Sequence, residues 1–175
     1  MNPDSLYNSA CDLIRNRRYD KARDLLKRAI VMNPRHLPAL HDLAGCYGMA
    51  NDWPNAEKLY KRVIELDPAC YSALWNLGVI YFSQGKMDES LEVLQHAVHV
   101  NPNCAEAYMA AANTLGALGR IREALTCDKK AIELKPDDPV LWDAYLMRSL
   151  YSFDLTEQEK AEIHFEYGRR FGYVT

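Results

Sequence analysis

The chain has 175 residues, 49% hydrophobic and 26% charged, with a formal net charge of −3 and an isoelectric point near 6.0. This is the composition of a folded chain rather than a disordered one. Its slight acidity argues against dedicated binding of nucleic acid or of an anionic membrane. There is no apolar window of the roughly 18 residues that a membrane span needs. The N-terminal stretch MNPDSLYNSACD lacks the basic-then-apolar order of a signal peptide. Cytoplasmic residence is the expectation.

Five cysteines (Cys11, Cys46, Cys70, Cys104 and Cys127) form no CxxC pair and read as reduced thiols. Structural zinc needs about four close ligands, and His96 and His99, on one helix face, have no evident third. No metal and no cofactor are expected.

In chain order, the first helix is expected over residues 3 to 16, with Asp4 or Ser5 near its start, and the second over about 19 to 32. The second follows a locally basic stretch, Arg15, Arg17, Arg18, Lys21, Arg23, Lys27 and Arg28, interleaved with Asp12, Asp20 and Asp24. That stretch suits either an acidic partner or phosphate; the interleaved acids favour a solvated face with spaced charge pairs. Trp53 and Pro54 open the fourth helix, with Asn51 or Asp52 as its cap. Thr156 and Glu159 have capping-box spacing, so a last helix begins there.

Four prolines, Pro34, Pro68, Pro102 and Pro136, stand 34 residues apart in the phrases AIVMNPRHL, VIELDPACY, AVHVNPNCA and AIELKPDDP. Between them the apolar residues recur at helical spacing. The third unit carries Leu74, Leu77, Gly78 and Tyr81, then Ser90, Leu94 and Ala97. Spacings of three and four place these on one face of each helix. Small residues let two antiparallel helices approach, and proline stops the second. Gly85 and Gly119 fit a left-handed turn inside their units. Asn51 tolerates that conformation in the second unit; Arg17 does so less readily, so the first turn is expected to differ.

The pattern resembles the tetratricopeptide repeat (TPR), W-x2-L-G-x2-Y, A-x3-F and P, over residues 3 to 138 without an insertion. The resemblance implies an all-α fold, a right-handed TPR superhelix of four regular helix pairs. The expected domain is single, 1–175, with repeats at about 3–36, 37–70, 71–104 and 105–138. The tail, 139–175, is either a degenerate fifth repeat or a capping hairpin, with Ala161, Phe165 and Gly168 repeating the small-aromatic-small pattern. In the fourth repeat Asp128 stands where the others have Leu26, Tyr60 and Leu94. It needs a partner if buried, Arg148 being the candidate; the simpler expectation is that it reaches water.

The tail run LMRSLYSFDLTEQEKAEIHFEYGRRFG also resembles the segment that joins TPR arrays to SPINDLY-like O-linked glycosyltransferase domains. That likeness implies the substrate-recognition arm of a larger enzyme, the chain alone transferring no sugar.

In a TPR superhelix the first helix of each pair lines the concave groove. By that resemblance the groove carries Tyr7, Asn8 and Cys11, then His41, Asp42 and Gly45, then Trp75, Asn76, Val79 and Phe82, and finally Met109 and Asn113. The expected function is a non-enzymatic scaffold holding a protein or peptide segment there, with an apolar anchor near Trp75. The alternative is that Trp75, Tyr7 and Met109 simply pack against neighbouring repeats. The asparagine ladder of glycosyltransferase arms is kept only at Asn8 and Asn76, and a lysine clamp for a C-terminal carboxylate is missing. Self-association stays open. No phosphate loop, nucleophile elbow or paired carboxylate site appears, and Asp137 with Asp138 reads as an inter-repeat turn, so no catalytic residue is expected.

Overall fold

Three of the four repeats end on a turn that their own side chains build. Asn33 and Asp67 leave the helical region, with φ of −136° and −142°, because a following proline disfavours helical backbone in its predecessor. The side chains of Asn33, Asp67 and Asn101 each accept the backbone N–H two residues on at 3.1 Å. These are Asx turns closed over the proline, which explains why Asn or Asp precedes three of the four prolines.

The computed structural model describes residues 2–153 and 155–172. Met1, Asp154 and residues 173–175, included in the expected domain and its tail, lie outside the described residues. Among the latter there are ten α-helices and no strand. They run α1 Pro3–Arg15, α2 Tyr19–Met32, α3 Leu37–Met49, α4 Trp53–Leu66, α5 Tyr71–Ser83, α6 Met87–Val100, α7 Ala105–Ala117, α8 Ile121–Leu134, α9 Pro139–Leu150 and α10 Glu157–Phe171. The chain divides into two compact units after Lys86, in the turn between α5 and α6. No described helix is long and apolar enough to cross a membrane.

The first unit holds α1 to α5. Its core joins Leu6 and Ala10 of α1, Ala22, Leu26 and Ala29 of α2, and Ala39, Leu43 and Cys46 of α3. The fully buried alanines let adjacent helices approach, and the leucines fill the remaining space. At α1 the cap is Asn2, which accepts the Ser5 N–H at 2.8 Å, with Asp4 in the first turn. Pro3 is the reason, since its fixed φ and missing N–H suit the first helical position and leave Asn2 as the cap. Asp52 caps α4 as expected.

The first turn does not differ. Arg17 and Asn51 adopt left-handed φ of 56° and 57°, beside 76° and 75° at Gly85 and Gly119. The helix pairing therefore imposes one turn on all four repeats and overrides the preference of Arg17. Arg17→Gly is expected to raise stability by up to about 1 kcal/mol. A left-handed L-residue costs about 1–2 kcal/mol, offset in part by the greater freedom of glycine in the unfolded chain. A lower thermal midpoint for this variant would rule out strain at Arg17.

The second unit holds α6 to α10. Leu91, Ala112, Leu115 and Ala124 join α6, α7 and α8. The buried Ser90 and Thr114 hydroxyls lie 3.1 Å apart, and Thr114 donates to the Ala110 carbonyl. Two expectations are corrected here. Asp128 does not reach water: it is 2% exposed and accepts from Arg148 Nε at 2.7 Å.

The tail does not present Ala161 and Phe165 inward either; both are exposed, and of that trio only Gly168 is buried. Ile163, Tyr167 and Phe171 instead pack on a cluster containing Trp142 and Tyr145 of α9. The capping box of Thr156 and Glu159 starts α10 as expected, but the lengthened connection sets a new register, and α10 covers α9 as a cap.

Candidate functional site

The predicted groove residues of the first unit lie on α1, α3 and α5, and the fold joins several of them. The Tyr7 hydroxyl donates to Asp42 Oδ2 at 3.1 Å, and Asp42 Oδ1 lies 3.2 Å from His41 Nδ1. Burial, with the Cys11 thiol and the Asp42 charge adding to it, pushes the Tyr7 phenol well above its ordinary range, so it stays a donor. Its ring tilts over His36, centroids 5.2 Å apart. His36 Nδ1 accepts the Ala39 N–H, which leaves Nε2 to donate to Asp4 at 3.1 Å. Asp42 is thus committed within the fold, whereas Asn8 and Asn76 make no side-chain hydrogen bond among the described residues.

Beside this network is a cavity of about 550 Å³. Of the predicted residues, His41, Asp42, Gly45, Asn76 and Val79 line it. Tyr7, Asn8, Cys11, Trp75 and Phe82 do not; Trp75 is half-buried beside Asn76, and Phe82 is exposed. The His41 ring packs edge-on against Tyr60 at 5.5 Å, and His41 Nε2 is buried without a hydrogen-bond partner among the described residues. Such an atom costs free energy until something bonds it.

The walls also include Tyr19, Trp53 and Tyr60, which the groove reading missed because it took residues from the first helix of each pair only. Gly45 and Gly48 were the available signal. A Cβ on Gly48 would meet nothing within 4 Å, and one on Gly45 only the Tyr60 hydroxyl at 3.6 Å.

In the second unit the predicted residues are already used. Met109 packs against the Trp142 cluster, and Asn113 accepts from Arg148 Nη2 at 3.0 Å. Arg148 lies so close over α7 that a Cβ on Gly116 would sit 2.2 Å from its Nη1. Burial raises the Asp128 pKa, with Arg148 pulling the other way. Among the described residues no group of three or more His, Cys, Asp or Glu side chains could hold a metal ion.

Consecutive helix pairs closed by proline, with left-handed residues inside each pair, define the α-solenoid class of repeat protein. The tetratricopeptide-repeat family profile matches residues 13–78, 49–114 and 81–146 in overlapping windows. The chain belongs to the tetratricopeptide-repeat family.

A comparison with curated protein sequences gives no match. Among solved structures the chain is similar to MamA (residue 41 to its end) from Desulfovibrio magneticus RS-1, with a TM-score of 0.85 at 16% identity, covering 98% of this chain and 96% of that one. It is similar to PilF of Pseudomonas aeruginosa, with a TM-score of 0.84 at 14% identity over 99% of this chain and 76% of that one. YrrB, a TPR protein with an unusual peptide-binding site, aligns with a TM-score of 0.72 at 18% identity over 90% and 80%. At such identities the likeness shows the fold alone. These matches are to repeat proteins and give no support to the likeness of the tail to a glycosyltransferase junction.

Proposed function

We propose that this chain is a non-enzymatic interaction module whose first compact unit holds a segment of another protein along α1, α3 and α5. The observation that carries the reading is the open cavity beside those helices, with five predicted groove residues in its walls and the buried, unpartnered His41 Nε2. Asn8 and Asn76 are available to hydrogen-bond a peptide backbone irrespective of its sequence. The fold is that of interaction scaffolds, and YrrB, at 18% identity, has a peptide-binding site. The partner we propose is protein, neither nucleic acid nor membrane. The setting is cytoplasmic, in keeping with the five free cysteines.

Peptides selected from a charge-mixed random display library test this. Trp75→Ala with Asn76→Ala, at the edge of the cavity, is expected to weaken the selected peptides by about 2 kcal/mol or more, as loss of an interface aromatic does. Lys58→Ala, an exposed change on α4, is expected to leave them unchanged. Equal binding by all three proteins, or a library that yields no binder, would overturn the proposal. Sedimentation of the protein alone shows whether a second copy occupies the face instead.

A further inference from the structure

The two units carry one architectural site in two states. Two repeat lengths separate Gly45, Gly48, Tyr60 and Ile80 of the first unit from Asn113, Gly116, Asp128 and Arg148 of the second. In the second unit Arg148 fills the place: it lies over Gly116, donates to Asn113 and pairs with buried Asp128. In the first unit the corresponding residue, Ile80, is short and apolar, and the cavity of about 550 Å³ is what remains. Gly48, in the last turn of α3, therefore leaves room that no side chain of its own unit fills, since a Cβ there would meet nothing within 4 Å.

The charge beside the cavity is mainly basic. A second cavity of about 390 Å³ shares Tyr19, Cys46 and Met49 with the first and is bordered by four cations, Arg17, Arg18, Lys21 and Arg23, and one acid, Asp20. Arg23 pairs with Asp20. Arg17, Arg18 and Lys21 are exposed and form no ion pair among the described residues. The interleaved acids thus neutralise only part of this basic stretch. Asp42, inside the larger cavity, is already engaged by Tyr7 and His41.

We infer that the first unit's cavity receives an apolar side chain from an acidic protein segment, which takes the place that Arg148 fills in the second unit, while flanking carboxylates pair with Arg17, Arg18 and Lys21. The apolar choice follows from the walls: Tyr60 stands where the second unit has Asp128, and Trp53, Val79 and Ile80 surround it. The acidic choice follows from complementarity to the three unpaired cations, which governs register and encounter. The inference rests on the proposed peptide-binding function and deepens it.

The test is fluorescence anisotropy with three labelled peptides: a central phenylalanine flanked by glutamates, the same peptide with lysines for glutamates, and the glutamate peptide with alanine for phenylalanine. The glutamate–phenylalanine peptide is expected to bind, the other two more weakly by roughly tenfold or more, and added salt to weaken it. Gly48→Leu fills the cavity and Arg17→Glu with Lys21→Glu reverses the rim; each is expected to weaken that peptide by roughly tenfold or more. The rim variant is confined to exposed side chains, so it reports even if Gly48→Leu fails to fold. Equal binding of all three peptides, or no effect of the rim variant, overturns the inference. If peptides selected from the mixed library still depend on Trp75 and Asn76 in that case, the broader reading stands and this one falls. Tighter binding of a labelled single-stranded oligonucleotide, unaffected by Gly48→Leu, would also overturn it in favour of phosphate.

Discussion

Arg148→Ala is expected to lower folding stability by about 3–5 kcal/mol at neutral pH, the usual cost of leaving one member of a buried ion pair alone. Asp128 is 2% exposed, and the guanidinium at 2.7 Å is its ion-pair partner. The carboxyl is already held above its ordinary 3.8 by burial, with Arg148 the opposing influence. Without Arg148 the native carboxyl binds its proton still more tightly than the unfolded one does. Stability therefore falls as pH rises through and above 3.8, so the deficit of the variant against the parent protein grows towards neutrality and shrinks in acid. Urea unfolding followed by circular dichroism at acid and neutral pH measures both. The double change Asp128→Leu with Arg148→Ile restores the residue types of Leu94 and Ile80 at their repeat equivalents. It is expected to match the parent or to exceed it by about 1–4 kcal/mol, since well-packed apolar replacements of buried pairs do so. A double variant as unstable as the single would show that the pair itself, not its isolation, holds this unit together.

Trp142→Ala is expected to cost about 3–5 kcal/mol, as large-to-small changes at buried aromatics do. Trp142 sits 6.3 Å from Tyr145 and from Tyr167 and 6.4 Å from Phe171, centroid to centroid. Its Nε1 donates to the Pro136 carbonyl at 2.8 Å, and the Arg170 guanidinium lies 5.7 Å from its ring centroid. The ring is thus where α10 and the last proline turn meet α9, and its loss leaves α10 without a seat. Repeat arrays couple nearest neighbours, so faster amide hydrogen exchange is expected in α9 and α10 with protection kept in α1 and α2. Trp142→Phe keeps a ring and loses the donor, and is expected to cost about 1 kcal/mol beyond the packing change. Uniform loss of protection throughout the chain would show that the cap is not a separate seat.

The prolines, the small residues at fixed spacing and the glycine turns specified the helix pairs of the four regular repeats in their order, because each is a local constraint: proline removes a donor, glycine allows positive φ, and alanine sets how close two helices come. The Asx turns before the prolines and the Thr156 capping box are equally local. At Arg17 local preference and tertiary demand disagreed, and the pairing of α1 with α2 prevailed. In the tail, Ala161 and Phe165 fit the repeat pattern but the connection after α9 turned α10 to another face. Periodicity shows that residues share a face, not what stands opposite that face. For that reason Asp128 became intelligible only once Arg148 was seen to reach it from the next helix. The cavity followed the same logic: Gly45 and Gly48 belong to α3, but Tyr60 and Trp53 come from α4, Val79 and Ile80 from α5. The sequence by itself determined the repeat, its turns and the helices that carry the candidate site. Only the tertiary structure decided which positions are filled from within and which are left open, because that depends on side chains arriving from neighbouring helices.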